Sequence, residues 1–186
     1  MSTWMTTDRL RLRPFTAEDA DALVALDNDP EVLRFINGGK PVSAEVIRGR
    51  TLPRLCRTHP VSGRPDYWAA EARDSGDFLG WFEFRPLTEE SVAEVELGYR
   101  LARRAWGGGL ATEGALALVE RGFAGWAVTR IEARTMAVNT RSRRVMEKVG
   151  LRFSRAYSGD WPEAIPGSEH GEVAYELTRE EWLASH

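Results

Sequence analysis

Leu10 and Leu12 alternate with Arg9, Arg11 and Arg13, the two-residue period of a strand that buries one face. The period then lengthens. In TAEDADALVAL, Ala20, Leu23, Val24 and Leu26 fall on one helical stripe, and Thr16 stands three residues before Asp19, the spacing of a capping box. DPEVLRFINGG predicts a short second helix stopped by Gly38 and Gly39. SAEVIRGRTLPRLCRTH predicts a third, capped by Ser43 and kinked or divided at Pro53, which has no backbone donor. Three runs of strand character follow, DYWAAEA at 66–72, DFLGWFEFRPL at 77–87 and VAEVELGYRLA at 92–102. Their connections, RDSG and TEES, are short and polar, which predicts antiparallel neighbours.

Helix returns over 109–125, where Ala111, Ala115, Leu118 and Gly122 share a face whose small side chains permit close packing on a sheet. RIEARTMAV at 130–138 is a fifth strand, and NTRSRRVMEKVG a short helix with Asn139 as N-cap and Gly150 just past its end. LRFSRAY and EVAYELT give two last strands, and TREEW repeats the capping-box spacing for a terminal helix. The whole pattern predicts a mixed α/β (α+β) architecture in a single domain, 1–186: a central sheet of about seven strands, antiparallel in its N-terminal half and flanked by helices.

Composition narrows the classes of partner. A net charge of −3 leaves no broad basic surface, which argues against direct binding of nucleic acid. The opening MSTWMTTDRLRLR has no apolar signal core and no stretch approaches the ~20 apolar residues of a membrane span, so a cytoplasmic location is expected, with no membrane partner. The single cysteine, Cys56, has no second thiol to pair with; it reads as a small buried hydrophobe, although neighbouring basic residues would lower its pKa. His59, His170 and His186 lack ligand spacing and read as surface residues, so no metal site is expected. Trp68 and Trp81 fall on central strands and read as core.

One stretch carries chemistry. In RRAWGGGLATEG three glycines, Gly107, Gly108 and Gly109, open directly into a helix. No lysine follows them, which removes the P-loop pattern, and reading from Gly107 the last position of a dinucleotide fingerprint is Thr112 rather than Gly or Ala. A strand, a glycine loop and a helix N-terminus remain, a combination suited to a phosphate or pyrophosphate because the first helical N–H groups have no internal acceptors.

The flanks sharpen this. VELGYRLARRAWGGGLATEGALALVERGF resembles the coenzyme A motif of the GNAT N-acetyltransferases, [Q/R]-x-x-G-x-[G/A], with Trp106 in its first position, Gly109 in the central one and Ala111 in the last. TDRLRLRPFTAEDADALVAL, DPEVLRFI and AVNTRSRRVMEKVGLRF agree in order, and the tryptophan version is similar to the ribosomal-protein-alanine (RimJ/RimL) branch. Two departures stand out: Arg103, Arg104 and Ala105 replace a Pro-x-Tyr stretch, and Gly108 replaces a residue that is commonly lysine or arginine.

The resemblance implies a GNAT fold splayed between the fourth and fifth strands by a bulge near Gly98. It implies acetyl-CoA as cosubstrate, and direct transfer of acetyl to a primary amine, foremost a protein N-terminal α-amine. A small-molecule amine (polyamine, amino acid or aminoglycoside) and a noncatalytic coenzyme A-binding domain are the alternatives, and a homodimer is compatible with the fold. Cofactor contacts then fall on the amides near Tyr99 and Leu101, on Trp106 through Gly107, Gly108, Gly109, Leu110, Ala111 and Thr112, and on Asn139, Ser142 and Arg144. Glu96 is the candidate base, acting through water, or else a solvated strand carboxylate; Ser142 is the candidate acid for the leaving thiolate. Phe35, Tyr67 and Trp161 are expected to line the acceptor groove.

Overall fold

A computed structural model describes residues 5–185. One eight-stranded sheet runs in the order β1-β2-β3-β4-β5-β6-β8-β7. Its strands are β1 (Met5–Thr6), β2 (Leu10–Pro14), β3 (Tyr67–Ala72), β4 (Phe78–Pro86), β5 (Glu94–Leu101), β6 (Arg130–Met136), β7 (Arg152–Tyr157) and β8 (Glu172–Thr178). The strand beyond the expected seven is β1, two residues that pair with Leu12 and Arg11 and are too short to show a period. From β1 to β5 every pairing is antiparallel, as the short connections predict, and β5 meets β6 in parallel.

That parallel pairing is the feature that makes a site. It holds only at Glu94↔Arg130, Val95↔Ile131 and Glu96↔Glu132, although β5 continues to Leu101 and β6 to Met136. The sheet therefore splays after Glu96. The expected bulge near Gly98 is not its cause, because the β4–β5 register runs unbroken from Gly80↔Leu101 to Pro86↔Val95. The strands diverge because β6 stops following β5, not because β5 gains a residue.

Alternation on β5 sends Val95, Leu97, Tyr99 and Leu101 to one face and Glu94, Glu96, Gly98 and Arg100 to the other. The first face packs on α5 (Leu110–Gly125) and α6 (Thr140–Lys148) around Phe82, Leu118 and Phe123. Helix α5 lies close because a Cβ at Gly114 would sit 2.3 Å from the Phe82 ring and one at Gly122 2.6 Å from that of Phe84. Of the predicted stripe, Ala115, Leu118 and Gly122 are buried and Ala111 is half-buried.

The other face carries the short helices α1 (Ala20–Leu26), α2 (Arg34–Asn37), α3 (Ala44–Val46) and α4 (Leu52–Leu55) over Leu23, Ile47, Leu55 and Trp81. Asp19 accepts from the Thr16 amide at 2.8 Å, closing the predicted box, and also pairs with Arg13 at 2.6 Å. The third helix is divided, as Pro53 predicts, although the break lies just ahead of the proline, between α3 and α4. The stretch Ile47–Thr51 widens into a π turn, in which the Leu52 amide donates to Ile47 O. Shifting the bonding by one residue just ahead of Pro53 accommodates its missing N–H. The second helix shrinks to Arg34–Asn37, ended by left-handed Gly38. A terminal helix, α7 (Arg179–Ala184), opens with the predicted capping box, Thr178 Oγ1 accepting from Glu181 N at 3.2 Å.

Two surface readings are corrected. His59 is 4% exposed, its Nε2 2.9 Å from Thr88 O, and Cys56 is exposed rather than buried. Burial and Asp19 push the Cys56 thiol pKa up, against the lowering expected from its basic neighbours. His170 is exposed, and His186 lies outside the described residues. Trp68 and Trp81 are core, Trp68 stacked on Trp126 at 5.8 Å. Among the described residues no helix is long and apolar enough to cross a membrane.

Candidate active site

The glycine loop sits where β5 delivers the chain to α5. Gly107 and Gly109 adopt φ of +79° and +82°, a region only glycine enters freely, and Gly109 is the N-cap of the helix. With no capping side chain, the first internal bond is Glu113 N to Gly109 O at 2.9 Å, so the amides of Leu110, Ala111 and Thr112 are left for a ligand. A Cβ at Gly107 would meet nothing within 4 Å. Open space over unpaired amides at the start of a sixteen-residue helix suits an anion, and a pyrophosphate fits it.

Sequence reasoning missed how this loop is held. Arg9, in the β1–β2 turn, donates from Nη1 to Gly108 O at 2.8 Å and from Nε to Glu113 Oε2 at 2.7 Å. Glu113 also accepts from the Arg9 amide at 2.8 Å and from Thr7 Oγ1 at 2.6 Å. In a trans peptide the C=O and N–H point oppositely. Drawing the Gly108 carbonyl toward Arg9 therefore turns the Gly109 N–H away from it. The loop lacks a basic side chain at 108, yet a guanidinium borders it from a turn 99 residues earlier in the sequence. A Thr-x-Arg beside a helix-start glutamate signals this contact only once the fold brings them together.

Trp106 works as a tether, its Nε1 donating to Leu101 O at 2.8 Å. Arg141 lies over the Trp106 ring at 5.3 Å and so borders the loop from α6; Arg141 and Arg144 are both exposed. Arg103 and Arg104 are turned elsewhere, to Asp29 and to the Phe78 carbonyl.

In the splay, the bonds Leu87 N to Glu94 O and Ala102 N to Leu79 O fix which β5 residues bond to β4. The alternation leaves the N–H groups of Tyr99 and Leu101 facing away from β4, beyond the last β6 pair. These are the two positions expected to serve the thioester arm. The Tyr99 hydroxyl donates to Ser142 O at 2.9 Å and is 3.0 Å from Ser142 Oγ, and burial pushes its pKa well up. Asn139 is the N-cap of α6, its Oδ1 accepting from Ser142 N at 3.3 Å and its Nδ2 donating to Thr135 Oγ1.

Glu96 stands at the last paired position before the splay, on the face of the short helices. Burial and the neighbouring Glu83 raise its pKa, against the lowering effect of Arg85 and Arg134. Arg85 bridges the two carboxylates, 2.7 Å from Glu83 and 2.6 Å from Glu96. The three line a cavity of about 400 Å³ together with Tyr67, Asp66, Arg54 and Arg57. Gly98 on the same face carries no side chain; a Cβ there would meet Glu83 Oε2 at 3.0 Å, so glycine keeps the cavity clear beside the splay.

Of the three expected acceptor residues the cavity includes Tyr67 but not Phe35 or Trp161. Phe35 belongs to α2 and Trp161 to the 158–171 connection, and these two regions meet through Lys40–Glu163 at 2.6 Å. Among the described residues no three His, Cys, Asp or Glu are grouped to hold a metal ion.

Residues 9–152 match the family described as Acetyltransferase (GNAT) domain. A protein of Aspergillus fumigatus named FsC-acetyl coenzyme A-N(2)-transacetylase is 35% identical over 185 residues, covering 95% of this chain and 77% of its own. The uncharacterised YkkB of Bacillus subtilis is 34% identical over 154 residues, covering 82% and 87%. The fold is shared with a GNAT acetyltransferase from Bacillus anthracis, at a TM-score of 0.77 and 24% identity, covering 96% of this chain and 99% of that one. It is shared too with the aminoglycoside acetyltransferase AAC(6')-Ib, solved with coenzyme A and kanamycin, at 0.72 and 18%, covering 95% and 98%. The chain belongs to the GNAT family of N-acetyltransferases.

Proposed function

We propose that the protein moves the acetyl group of acetyl-CoA to a primary amine by direct attack, with donor and acceptor entering the splay from opposite faces of the sheet. The observation that carries this is the division of β5: the glycine loop, Tyr99 and Ser142 belong to the α5–α6 side, and Glu96 to the cavity side. Amides of the loop would hold the pyrophosphate, with Arg9 fixing their direction. Asn139 and Arg144 retain their proposed cofactor contacts, joined by Arg141.

Acetyl-CoA supplies a thioester whose C–S bond breaks as the C–N bond to the amine forms. Glu96, its pKa raised, takes up the proton the amine gives, directly or through water. The Tyr99 and Leu101 amides donate to the carbonyl oxygen as negative charge grows there. The Ser142 hydroxyl gives its proton to the departing sulfur and recovers one from solvent. Protons balance, and the products are an amide and free coenzyme A.

The likeness to the ribosomal-protein-alanine branch points to a protein N-terminal α-amine as acceptor. The compact, charged cavity instead favours a small-molecule amine, in keeping with a 35% identical relative whose name specifies an N(2) position. Thiol release from acetyl-CoA, measured with the purified chain against peptide N-termini, amino acids, polyamines and aminoglycosides, tests the activity. Binding of coenzyme A without transfer to any amine would make the chain a noncatalytic coenzyme A-binding domain.

A further inference from the structure

The cavity beside Glu96 is bipolar. Toward the splay lie Glu83 and Glu96, which share the Arg85 guanidinium, with Arg134 a second, more distant positive charge on Glu96. On the β3 side stand Arg54 and Arg57, contributed by α4 and the turn after it. Arg57 is placed there by its own carbonyl, which accepts from the Asp66 amide at 3.2 Å. Its guanidinium pairs at 2.9 Å with Glu89, which is 70% exposed and outside the lining, a contact of the kind that contributes little. Arg54 forms no ion pair among the described residues and lies 5.3 Å over the Tyr67 ring. Asp66 is 4% exposed, with Oδ1 unpartnered, and burial holds its carboxyl above the ordinary range.

Resting on the acetyl-transfer reading above, we propose that the acceptor is a small amine that also carries a carboxylate, an amino-acid-like zwitterion. Its carboxylate sits on Arg54 and Arg57, and its amine faces Glu96. A volume of about 400 Å³ holds such a molecule with its shell of water. Guanidinium groups present paired N–H donors that match a carboxylate, so the cationic end is a recognition element and not merely a positive field. A polyamine would bring its second cation against Arg54 and Arg57. A peptide N-terminus would bring a neutral amide where the site offers two positive charges. Arg54 and Arg57 are exposed at the rim of the cavity, and the Tyr67 ring holds the Arg54 guanidinium on that rim, where an incoming carboxylate meets it.

Acetyl transfer by the full chain should be compared for free amino acids, their carboxyl amides, the corresponding decarboxylated amines, spermidine and a peptide with a free N-terminus. The expected result is transfer to amino acids, with kcat/KM falling at least about 100-fold on amidation or decarboxylation, as removal of a charged hydrogen-bonding partner predicts. In Arg54→Gln and Arg57→Gln the KM for the amino acid should rise about tenfold or more and the preference over the amide should collapse, with the KM for acetyl-CoA unmoved. Equal or better transfer to carboxylate-free amines overturns this inference and leaves the acetyltransferase reading standing. Transfer to no amine, with coenzyme A still bound, overturns both. The substrate comparison needs no variant, so misfolding of an arginine variant does not shelter the idea.

Discussion

The guanidinium of Arg9 holds the carbonyl of Gly108 at 2.8 Å while its Nε is held by Glu113 at 2.7 Å, so one arginine fixes both the glycine loop and the first turn of the helix that follows. Glycines at both ends of the 108–109 peptide, the second of them left-handed, make that peptide easy to flip. The Arg9 contact selects the orientation in which the Gly109 amide faces away from the arginine. In Arg9→Ala the KM for acetyl-CoA should rise about 10- to 100-fold, the value of one charge-assisted hydrogen bond. The kcat at saturating acetyl-CoA should change far less. Steady-state kinetics with both substrates varied checks the split; a fall confined to kcat would remove Arg9 from cofactor positioning.

The glycines themselves are not equivalent. Gly109 has φ +82° and caps α5, whereas Gly108 is outside the left-handed region and a Cβ on it would find only Arg9 Nη1, at 3.9 Å. Gly109→Val should lower coenzyme A affinity at least about 100-fold, through backbone strain and displaced amides. Gly108→Lys should fold and bind normally. Calorimetric titration of each with coenzyme A distinguishes them, and equal losses in both would mean that the loop responds to bulk alone.

Glu96 is the group whose ionisation should govern the acid side of the rate profile. Burial and Glu83 raise its pKa, so loss of kcat/KM on acidification should begin above the ordinary carboxylate range. Glu83→Gln removes a like charge and leaves Arg85 wholly to Glu96; both changes lower the pKa, so the limb should move to lower pH. Glu96→Gln should cost about 10²- to 10⁴-fold in kcat across the range. A limb that stays put in Glu83→Gln, or a Gln variant of full activity, would sink this assignment.

Stability carries its own pH signature. Asp19 is buried in the Arg13 pair, and its pKa is lowered overall: burial, the largest single contribution, raises it, and the hydrogen bonds from Arg13 and Thr16 outweigh that. A carboxyl whose folded pKa lies below its unfolded value adds stability that is complete above the unfolded value. That stability is lost as pH falls through the folded one. Asp19→Asn should therefore lower Tm by about 4–10 °C at pH 7, from a loss of about 1.5–3 kcal/mol, and the gap should narrow as the pH falls below the ordinary carboxylate range. Thermal unfolding at pH 7 and in acid measures it.

Legibility in the sequence followed the range over which each signal acts. Helix caps at Ser43, Asn139 and Thr178 are decided within four residues and were readable, as was the alternation that splits β5 between two faces. The loop was readable because its three glycines are consecutive. What escaped depends on distance through the fold. β1 is too short to have a period, the π turn answers a proline by a shift of register, and the Arg9–Glu113 contact spans 104 residues. The cavity beside Glu96 draws on α4, β3, β4 and β5, a juxtaposition no local pattern encodes, and of the three aromatic residues expected at an acceptor groove only Tyr67 falls within it.

The acid for the leaving thiolate is where the structure adds a second hydroxyl to the one expected. Tyr99 and Ser142 lie 3.0 Å apart, and Tyr99 also reaches the Ser142 carbonyl at 2.9 Å. A tyrosine whose pKa burial has pushed up does not ionise in the working range, and with its proton on a carbonyl it acts as a prop that aims Ser142. If Ser142 is the donor, Ser142→Ala should lower kcat about 10- to 100-fold with little effect on the KM for acetyl-CoA, while Tyr99→Phe should cost less than Ser142→Ala. A thioester bearing a more acidic leaving thiol needs less protonation, so it should recover rate in Ser142→Ala. The reverse order, Tyr99→Phe the more damaging and the more fully rescued, would transfer the acid role to the tyrosine.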